Sequence, residues 1–167
     1  MKKISLMLFA LTLLVLLSGC SGGTAPAATT APAAEAAPQA LAGVTFEAEK
    51  FSVTVPEGWE SMAVDGGVQL YKMSGEIIEV HFRGENQTDD SAKQQAESNA
   101  SAYSGTTPAE VTLLGKTFWA TTFTAAGVEQ TSYLRIENGV LLSIKCAKGN
   151  YETTPEYAAI IDSIVFK

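Results

Sequence analysis

Between Phe51 and Ala147 the chain is a succession of short runs in which apolar and polar residues alternate, most of them closed by glycine, and this pattern points to antiparallel β-structure. Phe51, Val53 and Val55 alternate with Ser52 and Thr54 before Pro56 and Gly58, which predicts a strand ending in a turn. Met62 and Val64 lead to Asp65-Gly66-Gly67, and Val68 and Leu70 lead through Lys72 to Ser74-Gly75. A third run, Glu76 to Arg83, sends Ile78, Val80 and Phe82 to one face and Ile77, Glu79, His81 and Arg83 to the other. Strand signals return at Val111 to Leu114, Thr117 to Thr124, Val128 to Ile136 and Val140 to Ala147. The Asn138-Gly139 pair between the last two predicts a type I′ hairpin, because both central residues of that turn need positive φ.

Two stretches change period. Ala92 to Tyr103 lacks glycine and proline, with Ser91 and Gln94 placed as a capping box and Gly105 as a stop. Its apolar face is small, Ala92, Ala96, Ala100 and Tyr103, so a loosely docked helix is expected. At the other end, Thr153 and Glu156 are spaced as a capping box with Pro155 in the first turn. Tyr157, Ile160, Ile161 and Ile164 then share one helical face, which predicts a terminal helix packed on the sheet.

Consecutive strands with one helix in the middle and one at the end give an α+β domain, an antiparallel sheet with helices packed on it. The order of elements, the strand and turn FSVTVPEGW at residues 51–59, and the closing PEYAAIIDSIVFK at residues 155–167 resemble the PsbP-like α/β/α sandwich. That family includes photosystem II extrinsic proteins, a nuclear import factor that binds a small GTPase, and many bacterial lipoproteins. The resemblance spans nearly all of residues 44–167 and implies a domain that acts by binding other proteins. It carries over no functional residue, and nothing in the sequence supports a photosynthetic role.

The first twenty residues, MKKISLMLFALTLLVLLSGC, place two lysines before an uncharged apolar run from Ile4 to Leu17, the layout of an export signal. The run is short for a bilayer span, which takes about 20 apolar residues. Leu17, Ser18, Gly19 and Cys20 resemble the lipobox of bacterial lipoproteins, which implies cleavage after residue 19 and a diacylglyceryl group on Cys20. Each buried methylene adds about 0.8 kcal/mol of membrane affinity, so two acyl chains anchor a protein firmly. Residues 20–43 hold one charge, Glu35, and are interrupted by Pro26, Pro32 and Pro38. They are expected to be a tether that reaches about 60 Å when extended. The expected organisation is thus a signal peptide at 1–19, the lipidated tether at 20–43 and the α+β domain at 44–167. Its location is the cell envelope, on an extracytoplasmic membrane face.

Charge narrows the partners. The chain has 11 Lys and Arg against 18 Asp and Glu, and losing Lys2 and Lys3 with the signal leaves 9 against 18, a net charge of −9. Nucleic acid is a poor partner for such a surface, since phosphate binding needs clustered bases. With Cys20 lipidated, Cys146 has no partner for a disulfide and sits on the apolar phase of Val140, Leu142 and Ile144, which predicts a buried structural thiol. The single histidine, His81, lies in no nucleophile motif, and with Glu79 it supplies only two metal ligands. Calcium loops and phosphate loops are absent from the sequence, so neither a cofactor nor catalysis is expected. Trp59 and Trp119 are expected in the core.

One constellation remains. Glu79, His81 and Arg83 share a strand face, and Glu129, Thr131, Tyr133 and Arg135 alternate toward the same polar side of a later strand, as does Lys145 on the next. If those strands lie together, Glu79, His81, Arg83, Tyr133 and Arg135 form a polar patch for a protein partner. A small polar ligand is the first alternative, favoured by a concave pocket beside a buried His81, and a hydrolase with an unrecognised site is the second.

Overall fold

The computed structural model describes residues 41–167. The signal segment 1–19, the lipidation residue Cys20 and the tether as far as residue 40 lie outside the described residues. Leu41 packs against the core, and a Cβ on Gly43 would collide with the Val55 carbonyl, so the folded unit begins slightly before residue 44.

Ten strands and two helices follow one another: β1 (Val44–Glu47), β2 (Phe51–Val55), β3 (Glu60–Val64), β4 (Gly67–Tyr71), β5 (Ile77–Arg83), α1 (Asp89–Tyr103), β6 (Ala109–Leu113), β7 (Lys116–Ala125), β8 (Val128–Glu137), β9 (Val140–Ala147), α2 (Pro155–Asp162) and β10 (Val165–Phe166). Seven strands form one sheet in the order β3-β4-β5-β9-β8-β7-β6, every pairing antiparallel. Two meanders build it, and the second runs back so that β9 closes against β5 while α1 spans the connection. Asn138 and Gly139 have φ of 51° and 76°, the positive pair a type I′ turn needs, and they set the β8–β9 register.

The sequence pattern suggests one sheet, and the structure has two. β1, β2 and β10 form a separate three-stranded sheet, with Val165 opposite Ser52. β1 escapes a periodicity reading because three of its four residues are exposed, and β10 because it is two residues long.

The main core lies between one face of the large sheet and a layer made by the small sheet and α2. Val68, Leu70, Ile78, Val80, Leu142 and Ile144 meet Phe51 and Val53 from β2 and Tyr157, Ile160 and Ile161 from α2. Trp59 belongs to this core and crosses Tyr157 edge to face at 5.7 Å. Its Nε1 donates to Glu156 (2.8 Å), which also accepts from Lys72 (2.8 Å). Glu156 is therefore spent on a tertiary contact and not on the capping box suggested by its spacing. Cys146 is fully buried, and burial pushes its thiol pKa up, as suits a structural thiol.

Helix α1 lies on the opposite face of the sheet, over β7 and β8. It starts a turn earlier than expected, capped by Thr88, whose backbone N–H donates to Ser91 Oγ (3.2 Å). Asp89 and Asp90 stand in its first turn, where the helix dipole favours negative charge. Ala92 and Ala96 are buried against Leu134, with Trp119, Ile136 and Leu141 around them. Trp119 is only partly buried, beneath the ammonium of Lys93 at 5.1 Å. Tyr103 is exposed and stacks on Phe123 at 5.0 Å.

Candidate functional site

The two alanines let α1 sit close to β7 and β8, and beyond Leu141 the helix leaves the strip formed by β5 and β9 outside its contact. On this strip the register sets Glu79 opposite Lys145, His81 opposite Ser143 and Arg83 opposite Leu141. Glu79, His81 and Arg83 are two residues apart along one strand, so their side chains stand in a row on one face.

The row is a linked chain of polar contacts. Lys145 Nζ lies 3.0 Å from Glu79 Oε2, and His81 Nδ1 lies 2.8 Å from Glu79 Oε1. Arg83 Nε donates to His81 Nε2 at 2.6 Å. A guanidinium is always protonated and only donates, so His81 Nε2 must be the acceptor and Nδ1 must carry the proton toward Glu79. In this arrangement the imidazole is neutral. It is also 3% exposed, so the histidine acts as a fixed spacer that holds the Arg83 stem. The hydrogen bond from His81, aided by Lys145, outweighs burial and holds the Glu79 pKa at about 2.

Two hollows flank the row. Toward α1 there is a cleft of about 420 Å³ lined by His81, Arg83 and Lys145 from the strip, by Gln95 and Asn99 from α1, and by Gln130, Ser132 and Ser143 from the sheet. Tyr103 and Phe123 line it as well. On the other flank is a broader hollow of about 870 Å³, whose lining includes Glu47, Glu49, Asp65, Glu79 and Glu85 against Lys50 and Arg83. There Gly67 pairs with His81, and a Cβ on it would collide with the Val80 carbonyl and come within 2.7 Å of His81 Cα. Glycine at 67 thus lets β4 and β5 approach where the histidine stands.

Tyr133 and Arg135 do not join this site. β9 lies between β5 and β8, and Tyr133 pairs with Ile144 and Arg135 with Leu142, both core-facing residues, so the two side chains stand on the opposite face of the sheet. Tyr133 is fully buried; its hydroxyl donates to Glu152 (2.6 Å) and accepts from the Tyr151 N–H (3.0 Å), pinning the segment that leads into α2. Burial, reinforced by Glu152, pushes its pKa up. Arg135 lies 5.5 Å over the Phe118 ring and pairs with Glu137 (3.0 Å). Thr131 shares their face, opposite Cys146. The sequence expectation fails here because both faces of β8 are covered. Leu134 and Ile136, the residues between the polar ones, are buried or half-buried on the α1 side, so polarity along the strand does not tell which way it faces.

Gln95, Asn99, Gln130, Ser132 and Ser143 were not among the expected site residues. Gln95 and Asn99 stand three residues beyond Ala92 and Ala96, and Gln95 Nε2 donates to Asn99 Oδ1 (3.0 Å). Helical spacing places them on the flank of the alanine stripe, a signal present in the sequence. Among the described residues no group of three or more His, Cys, Asp or Glu is arranged to hold a metal ion.

The element order, the antiparallel sheets and the helices on both sides of the large sheet define a PsbP-like α+β fold. One solved structure shows the likeness directly. Cyanobacterial PsbP (CyanoP) from Synechocystis sp. PCC 6803 superimposes with a TM-score of 0.50 at 11% identity, over 74% of this chain and 92% of that one. A crystal structure from Bacteroides thetaiotaomicron VPI-5482 aligns with a TM-score of 0.52 at 14% identity, over 75% of this chain and 48% of that one, so the chain spans about half of that protein's length. LpqN, involved in cell envelope biogenesis of Mycobacterium tuberculosis, aligns with a TM-score of 0.46 at 14% identity, over 70% of this chain and 83% of that one. No family model and no curated protein matches the chain in sequence.

Proposed function

We propose that this chain is a lipid-anchored binding or scaffold domain on an extracytoplasmic membrane face, recognising a protein partner without catalysis. The anchoring half of the reading rests on MKKISLMLFALTLLVLLSGC, with Cys20 as the lipidated residue, residues 1–19 as the signal and residues 20–43 as the tether. No helix among the described residues is long and apolar enough to cross a membrane. The binding half rests on one observation, the cleft between α1 and the Glu79-His81-Arg83 row. It is the concave, polar part of a sheet surface whose other face is closed by apolar packing.

Catalysis is the poorer reading because His81 is engaged at both nitrogens by its own strand. A general base needs a free lone pair within reach of the proton it takes, and here Arg83 occupies that lone pair. A small polar ligand is the second reading, favoured by the cleft volume, which falls within the range of small-molecule sites.

The test uses the whole chain in its native envelope, cross-linked and then solubilised. A single protein enriched by the wild type, lost with Gln95→Ala plus Asn99→Ala and retained with Arg135→Gln, is the expected outcome. Retention by the cleft variant would remove the cleft from the account, and Cys20→Ser should move the chain from the membrane to the soluble fraction.

A further inference from the structure

Three features of the cleft bear on what occupies it: its charge, its length and its two unlike ends. Its lining holds two cations, Arg83 and Lys145, and no carboxylate, on a chain that is acidic overall. Lys145 is already paired with Glu79. Arg83 spends only Nε, on His81; among the described residues its two Nη groups make no hydrogen bond, Nη2 stands 3.9 Å from Glu79, and the side chain is 63% exposed. Glu79 cancels one of the two cations, so the strip presents one unmatched positive charge, carried by a guanidinium fork whose stem is fixed by the neutral imidazole. That geometry suits a single carboxylate, which matches the fork and balances the charge. A doubly charged phosphate would be left half neutralised.

Length follows from register. Arg83 stands in the row of Leu141 and Ile136, whereas Phe123 stands in the row of Gln130, Ala147 and Ile77. Arg83 and Ile77 are six residues apart on β5, which at about 3.3 Å per residue is about 20 Å. The cleft therefore runs along the strands from a cationic end at Arg83 to an aromatic end where Tyr103 stacks on Phe123. Between them Gln95 and Asn99 offer amide groups suited to a peptide backbone, and Gln130 offers another at the aromatic end.

We infer that the cleft receives an extended segment of a partner protein, about six residues long, with a carboxylate at the Arg83 end and an apolar side chain against Tyr103 and Phe123. The acidic hollow on the far side of the row turns such a segment away, because Glu47, Glu49, Asp65 and Glu85 face it there. This inference rests on the cleft being the partner surface and adds the chemistry of what it holds.

The experiment titrates the whole chain in detergent against a fluorescein-labelled hexapeptide with glutamate at one end, leucine at the other and four serines between. The two ends are made in both orders, and a companion peptide has glutamine in place of glutamate. Binding is read by fluorescence anisotropy. The glutamate peptide, in one of the two orders, should bind at least tenfold more tightly than its glutamine twin. Arg83→Gln should erase that difference, and Tyr103→Ala should weaken both peptides without altering their ratio. Thermal melts of both variants should stay within about 5 °C of the wild type, since Arg83 loses one hydrogen bond and Tyr103 one ring stack. Equal binding of the glutamate and glutamine peptides in both orders, no binding of either, or a preference that survives Arg83→Gln would overturn the inference. If envelope capture is still lost with the Gln95 and Asn99 substitutions while the hexapeptides fail, the acidic segment falls and the partner surface stands.

Discussion

The two faces of the seven-stranded sheet are built from opposite materials. On the α2 side, large aliphatic and aromatic residues fill the space, and the polar groups of the buried aromatics have partners: Tyr157 donates to the Ala147 carbonyl (2.5 Å), Tyr133 to Glu152 and Trp59 to Glu156. On the α1 side, two alanines of the helix pack on Leu134 with Trp119, Ile136 and Leu141 around them, and the strip beyond is a polar row beside a cleft. The difference separates two tasks. A face closed by large side chains carries the free energy of folding, because burying each such side chain contributes about 1.5–3 kcal/mol. A face covered only in part by small side chains keeps a concave polar surface at modest cost to stability.

This contrast ranks the effects of substitution. The largest should come from the packed face: Ile160→Ala, at a fully buried position of α2, should cost about 3–4 kcal/mol in urea unfolding. A loss below about 1 kcal/mol would show that α2 is not part of the closed core.

Next comes Glu79, whose effect depends on pH. Its folded pKa, about 2, lies below the ordinary 4.5, so the stability it contributes is present above about pH 4.5 and is lost as pH falls toward 2. The shift corresponds to up to about 3 kcal/mol, which solvent at the rim of the row reduces to about 1–2 kcal/mol. Urea melts at pH 6 and pH 2.5 should show Glu79→Gln losing most of its deficit relative to wild type at the lower pH. A deficit unchanged by pH would mean that the carboxylate charge is not what His81 and Lys145 hold.

Tyr133→Phe should cost about 1–2 kcal/mol, since it removes the donor to Glu152 and the acceptor of the Tyr151 N–H. Faster amide exchange at Tyr151 should accompany it, with partner binding unchanged; weakened binding with intact stability would return Tyr133 to the site. The smallest effect on folding belongs to Arg83→Gln, about 1 kcal/mol or less, because the side chain is exposed and loses only its one hydrogen bond to His81. A large destabilisation would make Arg83 a structural clamp instead of a binding group.

The same contrast explains what was legible in the sequence. β5 could be read to the residue, since Ile78, Val80 and Phe82 face the core and Glu79, His81 and Arg83 meet a polar hollow, so polarity reports direction. The face of α2 was legible for the same reason, with Tyr157, Ile160 and Ile161 buried as spaced, while Ile164 is buried just beyond the end of the helix at Asp162. β8 was not, because α1 covers one of its faces and the core the other; Tyr133 and Arg135 could be placed only by register with β9, which a linear pattern does not contain. The α+β class, an antiparallel sheet with helices packed on it, followed from element order, whereas the strand order did not, and the small sheet depends on β1 and β10, which are too exposed or too short to leave a signal. The cleft needed the docking of α1 against the sheet, and only the pairing of polar Gln95 and Asn99 with the alanine stripe hinted at it.

The most direct test of the division between the faces is site-specific photo-cross-linking in the native envelope. A photoreactive residue would replace Asn99, in the cleft, or Glu57, an exposed residue in the turn after β2 on the packed side. The account predicts one discrete adduct from position 99 and none from position 57. An adduct from position 57 with none from position 99 would contradict it, and would place recognition on the layer that holds the fold together.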